Sequence, residues 1–210
     1  MIFDLTHPIA EGMPVWPGTP SPKLEKECTI EKDGFLETHL GLSSHTGTHI
    51  DAPAHILSGS YTLDKFRPEY FIGRASKINL THCHHTILEE EFLFLEDFPE
   101  AFDFVLLQTG WSRYWGHPAY FRNFPVLSLQ SARFLSSSQI KGIGLDAISF
   151  DLAESNTFPN HHIFMGKGIL LIENLTGLEP LPLGKSFELF ALPLYFRSAD
   201  GAPARVIART

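Results

Sequence analysis

Residues 43–57, Ser-Ser-His-Thr-Gly-Thr-His-Ile-Asp-Ala-Pro-Ala-His-Ile-Leu, constrain this chain more than any other stretch. His45, His49, Asp51 and His55 all fall at odd positions, with Gly47 and Pro53 between them. In an extended strand alternate side chains share a face. Four such residues would then be strung over roughly 30 Å, at about 3.3 Å per residue. Donors to one metal ion must instead lie within about 4 Å of each other, because each bond is near 2 Å. The stretch can hold a metal only by folding back, and Gly47 and Pro53 are the residues that permit a bend. The expectation is a metal site; the alternative is a loop of solvated histidines.

The remaining composition narrows the partners. The chain has 210 residues, 43% hydrophobic and 19% charged, which suits a soluble globular protein with a substantial core. Phenylalanine is plentiful at 18, so aromatic packing or an aromatic-lined pocket is expected. A net charge of −8 without any basic run argues against nucleic acid or an anionic membrane as partner. Cys28 and Cys83 are too few for a disulfide framework and lack C-x-x-C spacing. The segment Met1-Ile-Phe-Asp-Leu-Thr-His7 shows no basic stretch followed by an apolar one, so no signal peptide is visible. No apolar run approaches the ~20 residues of a spanning helix. The expected protein is soluble and cytoplasmic, and residues 1–210, without repeats or a composition break, are expected to form one domain.

Taken in order, residues 2–5 suit a first strand. Pro14, Pro17, Gly18, Pro20 and Pro22 make residues 11–22 a surface loop, with Trp16 either a pocket wall or a packing residue. Residues 24–31 and 35–40 alternate around Asp33-Gly34 and read as a hairpin feeding the histidine cluster. Residues 61–66 suit an irregular connection or one helical turn, and residues 72–80 a strand. His82-Cys83-His84-His85 is expected to be a polar loop. The spacing of Ile87, Leu88, Phe92 and Leu95 predicts a helix over 86–95, with Thr86 as N-cap.

The continuous apolar run within 103–108 predicts a buried strand. Thr109-Gly110-Trp111 follows at its carboxyl end, where open α/β sheets bind ligands, so Trp111 and Tyr114 are pocket candidates, with core packing as the equal alternative. A helix capped by Ser128 is expected over 128–138. Residues 142–146 and 148–151 read as a strand end with an acidic turn, where Asp146 and Asp151 could support a site or simply make a turn. Ile169–Ile172 predicts another buried strand with Glu173 at its carboxyl end. A carboxylate buried there costs several kcal/mol unless a cation is close. Pro193 places the apolar run 187–196 at a sheet edge or bulge; Asp200-Gly201 reads as a turn before a closing strand.

The eleven residues His45-Thr-Gly-Thr-His49-Ile-Asp51-Ala-Pro53-Ala-His55 resemble the H-x-G-T-H-x-D-x-P-x-H signature of the cyclase-like metal-dependent hydrolases, which include bacterial kynurenine formamidases (arylformamidases) and isatin hydrolases. The resemblance continues through Asp4-Leu-Thr6, Trp16-Pro-Gly18, Thr109-Gly-Trp111, Gly142-Ile-Gly-Leu-Asp146, His161…Glu173-Asn-Leu175 and Asp200-Gly-Ala-Pro203…Arg205. It implies an α/β fold, a single-domain swivelling β/β/α arrangement with a mixed sheet, assembled as a homodimer or homotetramer. It also implies that His45, His49 and Asp51 hold a first metal. Asp51 would bridge to a second metal held by His161 and Glu173, with His161 preferred to His162 because the family's histidine stands twelve residues before the glutamate. His55 is implied as the catalytic acid/base and Trp16 as a substrate contact. Formamidases of this family commonly carry an aspartate after the Trp-Pro-Gly loop; this chain has Thr19.

Imidazoles and carboxylates without thiolate suit two Zn²⁺ ions, with Mn²⁺ or Fe²⁺ as further choices. The expected reaction is hydrolysis of an amide carbonyl by a metal-activated water, with His55 carrying the proton. Trp16, Trp111 and the phenylalanines favour a small aromatic amide. N-formylkynurenine, cleaved to kynurenine and formate in tryptophan catabolism, is the first expectation; an isatin-type cyclic amide or another small amide or ester is the alternative. A mononuclear non-haem iron oxygenase using His49 and Asp51, or a non-catalytic metal- or ligand-binding protein, is the rival from another class. The oxygenase leaves His45, His55 and Glu173 without a task and is separated by oxygen uptake.

Overall fold

The computed structural model describes residues 1–97 and 102–210. Twelve strands occur among these residues. In chain order they are β1 (Ile2–Asp4), β2 (Lys23–Cys28), β3 (Glu37–Gly41), β4 (His49–Asp51), β5 (Ile72–Asn79) and β6 (Thr86–Ile87). Then come β7 (Phe104–Gln108), β8 (Val126–Leu127), β9 (Gly142–Leu145), β10 (Leu170–Glu173), β11 (Phe187–Pro193) and β12 (Gly201–Arg209). Helices α1 (Ile30–Asp33), α2 (Leu129–Ser137) and α3 (Pro159–Met165) interrupt them, with several short 3-10 turns. No helix among the described residues is long and apolar enough to cross a membrane.

Eight strands form one mixed sheet in the order β1-β12-β11-β5-β7-β9-β10-β4, and β4 pairs also with β12. That second pairing closes seven strands into a ring, with β1 beside β4 on the same edge of β12. The middle of the ring, β5-β7-β9-β10, is parallel, and the pairings around β11, β12 and β4 are antiparallel. The sheet is the mixed α/β fold expected from the sequence.

Side-chain alternation along the parallel strands feeds two cores. Phe104, Leu106, Leu170 and Ile172 join Ile50, Leu189, Ala202 and Val206 inside the ring. Val105, Leu107 and Leu171 pack on the other face with Leu135 of α2 and Phe164 of α3. Strands buried on both faces have to be apolar throughout, which is why β7 reads as an unbroken run. Helix α2 starts where Ser128 accepts from the backbone N–H of Ser131.

Three local expectations are corrected. Thr86 does not cap a helix: Thr86 and Ile87 pair in parallel with Val126 and Leu127, and Glu89–Asp97 is a 3-10 stretch. The run 187–196 is not an edge strand, because β11 lies between β12 and β5; Pro193 is its last residue, paired with Ala204 of β12 and beyond the positions paired with β5, so it interrupts no ladder. The strand expected over 24–31 stops at Cys28, and α1 supplies the turn, ending on Gly34 in the left-handed region.

Candidate active site

The signature stretch reaches the site through two bends. Gly47 has φ 64°, open to glycine without strain, and Pro53 starts a 3-10 turn that ends at His55. Between them lies β4. Its alternation sends Ile50 into the ring core and puts His49 and Asp51 on the opposite face. β10 runs antiparallel beside it, with Glu173 directly opposite His49. On the other side Gly201 stands opposite Asp51. Helix α3 adds His161, which is buried, whereas His162 is exposed.

Donor atoms from these elements converge in two buried or half-buried groups, His45–His49–Asp51 and Asp51–His161–Glu173, each within 4.8 Å. Asp51 belongs to both. Its Oδ1 is 2.6 Å from His45 Nδ1 and 3.2 Å from His49 Nε2, and its Oδ2 is 3.9 Å from His161 Nε2. Glu173 lies 3.5 Å from His49 Nε2 and 3.4 Å from His161 Nε2. Two of the imidazoles are aimed from behind. His49 Nδ1 donates to the carbonyl of Gly47 at 2.7 Å, and His161 Nδ1 donates to Asp151 Oδ2 at 2.7 Å. Each Nδ1 is thereby occupied and Nε2 is the nitrogen presented to the carboxylates, the orientation that metal-binding histidines need.

The electrostatics match a cation site. Burial disfavours the charged form of Asp51, but the His45 and His49 charges overcome it and hold the carboxyl well below the usual range. Burial also opposes charge on His45, yet Asp51 and Asp200 raise it to about 9. His161 is lifted in the same way to about 10 by Asp151, Glu173 and Asp51 against its burial. His55 behaves differently: burial, with positive neighbours His45 and His161, lowers it. Asp51 Oδ2 is buried without a hydrogen-bond partner. A buried, unsatisfied carboxylate oxygen facing imidazole nitrogens fits a divalent ion as its missing partner.

A cavity of about 240 Å³ opens on this wall. Of the residues singled out in the sequence, Trp16, His45, His49, Asp51, His55, His161 and Glu173 all line it. Trp111 does not: its indole N–H donates to the Tyr120 carbonyl at 3.0 Å and its ring packs on Tyr114. Thr109 and Gly110 just before it are held by the Asp146 carboxylate, so this corner serves packing.

Sequence reasoning missed Asp200. Its Oδ2 is 2.9 Å from His45 Nε2 and 3.6 Å from His55 Nδ1, so it reads both rings. It also missed Asn174, whose side-chain N–H donates to Gly47 O and whose Oδ1 accepts from the Tyr120 hydroxyl at 2.7 Å. Both fall within the segments that carry the family resemblance, but the residues themselves offered no role: Asp200-Gly201 read as a turn, and Asn174 had only its place after Glu173.

Fold and donor set together define a mixed α/β protein with a candidate divalent-metal site at the seam of a closed sheet. The "Putative cyclase" family model matches residues 3–152. A kynurenine formamidase of Bordetella avium (strain 197N) is 31% identical over 218 residues, spanning 99% of this chain and 97% of that protein. A solved structure described as a potential metal-dependent hydrolase with cyclase activity is 33% identical, with a TM-score of 0.82, covering 99% and 96% of the two chains. Isatin hydrolase A from Labrenzia aggregata is 25% identical with a TM-score of 0.88, covering 99% and 93%. The chain belongs to the cyclase family.

Proposed function

We propose that this chain is a metal-dependent amide hydrolase working as one unit over residues 1–210. Its leading substrate is an aryl formamide, N-formylkynurenine, cleaved to kynurenine and formate. The observation that carries this reading is the convergence of His45, His49, Asp51, His161 and Glu173 on one cavity wall, with His55 beside them. Relatives named kynurenine formamidase, similar over nearly the whole chain, support the substrate class.

The unpartnered Asp51 oxygen and the imidazole–carboxylate donor set fit two divalent ions, zinc first, with manganese or iron as further choices. His45, His49 and Asp51 would hold one, and Asp51, His161 and Glu173 the other. Divalent ions held there would supply a water that ionises near neutral pH and a Lewis acid for the carbonyl oxygen.

The chain's own residues do the rest. His55 takes one proton of the attacking water and delivers it to the leaving nitrogen, so that a C–O bond forms, the C–N bond breaks, and the products are a neutral amine and formate, with the water's second proton released to solvent. With its Nδ1 turned toward Asp200, Nε2 is the nitrogen left for that exchange. Pro14, Val15, Trp16, Ile56, Ile148 and Phe158 give the cavity apolar walls that take a flat ring and exclude bulk water. Thr19 in the same wall favours a second reading, an uncharged cyclic amide of the isatin type, which the likeness to isatin hydrolase A also supports.

The protein is read as a cytoplasmic homodimer or homotetramer; exposed Phe35, Leu36 and Leu40 on the β2–β3 hairpin support self-association. The test is elemental analysis followed by turnover of N-formylkynurenine and isatin with the protein reloaded with zinc. Absence of hydrolysis with two equivalents bound would overturn the reading. Oxygen uptake in place of hydrolysis would turn it toward an iron oxygenase.

A further inference from the structure

The loop between β5 and β6 carries His82-Cys83-His84-His85, which the catalytic site does not use. His82 Nε2 lies 3.0 Å from Glu91 Oε2, on the 3-10 stretch that follows β6. Donor atoms of His82, Cys83 and Glu91 all fall within 4.8 Å of one another. Cys83 is half-buried and packs against the outer core, and its backbone N–H donates to Leu80 O, so the thiol is presented by a fixed turn. We propose that His82, Cys83 and Glu91 form a further, non-catalytic binding site for a divalent cation of the zinc class.

The chemistry selects the ion. A thiolate, an imidazole and a carboxylate suit Zn²⁺ or Co²⁺ and disfavour Mg²⁺ and Ca²⁺, which take oxygen ligands. Three protein donors leave the fourth position of a tetrahedral ion to water. Burial, together with the Glu91 carboxylate, keeps the Cys83 proton on in the ion-free protein. Binding therefore forms an Sγ–metal bond and releases that proton to solvent, with no redox change. The ion ties the 82–85 loop to the 3-10 stretch beginning at Glu89, two segments already linked where His82 and Cys83 meet Glu91. It stabilises the folded chain by mass action.

The catalytic donors are all nitrogen and oxygen, so sulfur is a private label for this site. The only other thiol, Cys28, lies on the β2–β3 hairpin beside Glu37. Full-length protein freed of metal is titrated with Co²⁺ and followed by absorption in the near ultraviolet. The expected result is a sulfur-to-cobalt charge-transfer band whose final intensity corresponds to one thiolate-bound cobalt per chain, which is lost in Cys83→Ser and kept in Cys28→Ser. Exposed His82→Ala, which does not threaten folding, weakens the apparent affinity about tenfold or more. Zinc raises the melting temperature of Cys83→Ser less than that of the wild type. No band at saturating cobalt, a band surviving Cys83→Ser, or one lost in Cys28→Ser overturns the proposal. Hydrolytic activity does not enter these readouts, so the site stands or falls separately from the catalytic assignment.

Discussion

Gly201 lies directly beneath the imidazole of His45. A Cβ at position 201 would sit 2.9 Å from both ring nitrogens, closer than real side chains tolerate. The glycine is needed for this approach: it lets β12 pass under the ring while the adjacent Asp200 reaches up to Nε2. Gly201→Ala is therefore expected to push His45 aside and lower turnover about 10²-fold. The fold should survive, because the ring is only half-buried. Measured kcat together with metal content checks this; wild-type values for both would show that the ring does not need its place.

His55→Ala is expected to keep bound metal and lose about 10²–10⁴ in turnover, the usual worth of a proton carrier. Asp51→Asn should instead cost metal, since Asp51 faces both donor groups. Elemental analysis and kcat on the two variants separate the roles, and equal metal loss in both would merge them.

Asp151 reaches the donor set through His161, by the 2.7 Å bond to Nδ1 and by accepting from the backbone N–H of His161, and it also accepts from the backbone N–H of Asn160. Asp151→Asn should weaken metal binding about 10–100-fold with little change in the cavity. Competition with a coloured chelator measures the affinity. Unchanged affinity would reduce Asp151 to a helix-start residue.

Tyr120 is buried and donates to Asn174 Oδ1 at 2.7 Å, and Asn174 in turn holds the Gly47 carbonyl that orients His49. Tyr120→Phe leaves a buried amide oxygen without its donor, a cost of about 1–3 kcal/mol. Denaturant unfolding should show this loss. A variant as stable as wild type would mean that Asn174 finds another donor.

His7 gives a pH signature away from the metal wall. It is buried, stacked on Trp115 with ring centroids 3.8 Å apart, and burial alone lowers it from its ordinary 6.5 to about 4. Between those values the unfolded chain binds the proton and the folded chain does not, so stability rises with pH. It is fully present above about 6.5 and is lost as pH falls toward 4. In His7→Phe, which keeps the stacking, the unfolding midpoint should be flatter over that window. An unchanged slope would show that His7 does not set it.

Much of this was legible from the chain. His45, His49, Asp51 and His55 are close in sequence, and Gly47 and Pro53 show how they bend, so their grouping needed no distant information. The buried strands β7 and β10 announced themselves by unbroken apolar runs, and Ser128 announced α2. What could not be read depends on partners far away in sequence. Ile87, Leu88, Phe92 and Leu95 have helical spacing, but pairing of Thr86-Ile87 with Val126-Leu127 takes the backbone first. Asp200 looks like any turn aspartate until β12 lies beside β4. Trp111 follows a strand end as a pocket residue should, yet a carbonyl of Tyr120 claims its indole.

Strand β4 is only three residues long, and it is the strand through which β10 and β12 are joined. Closing the ring therefore means bringing residues 49–51 against residues 201–203, pairings such as Asp51 with Gly201 that span most of the chain. Contacts so remote carry a high loop-closure entropy and belong to the slow end of folding. The seam includes residues from the proposed donor set. A divalent ion held by them would also be a clasp, tying together two segments of the chain at the place where the ring closes.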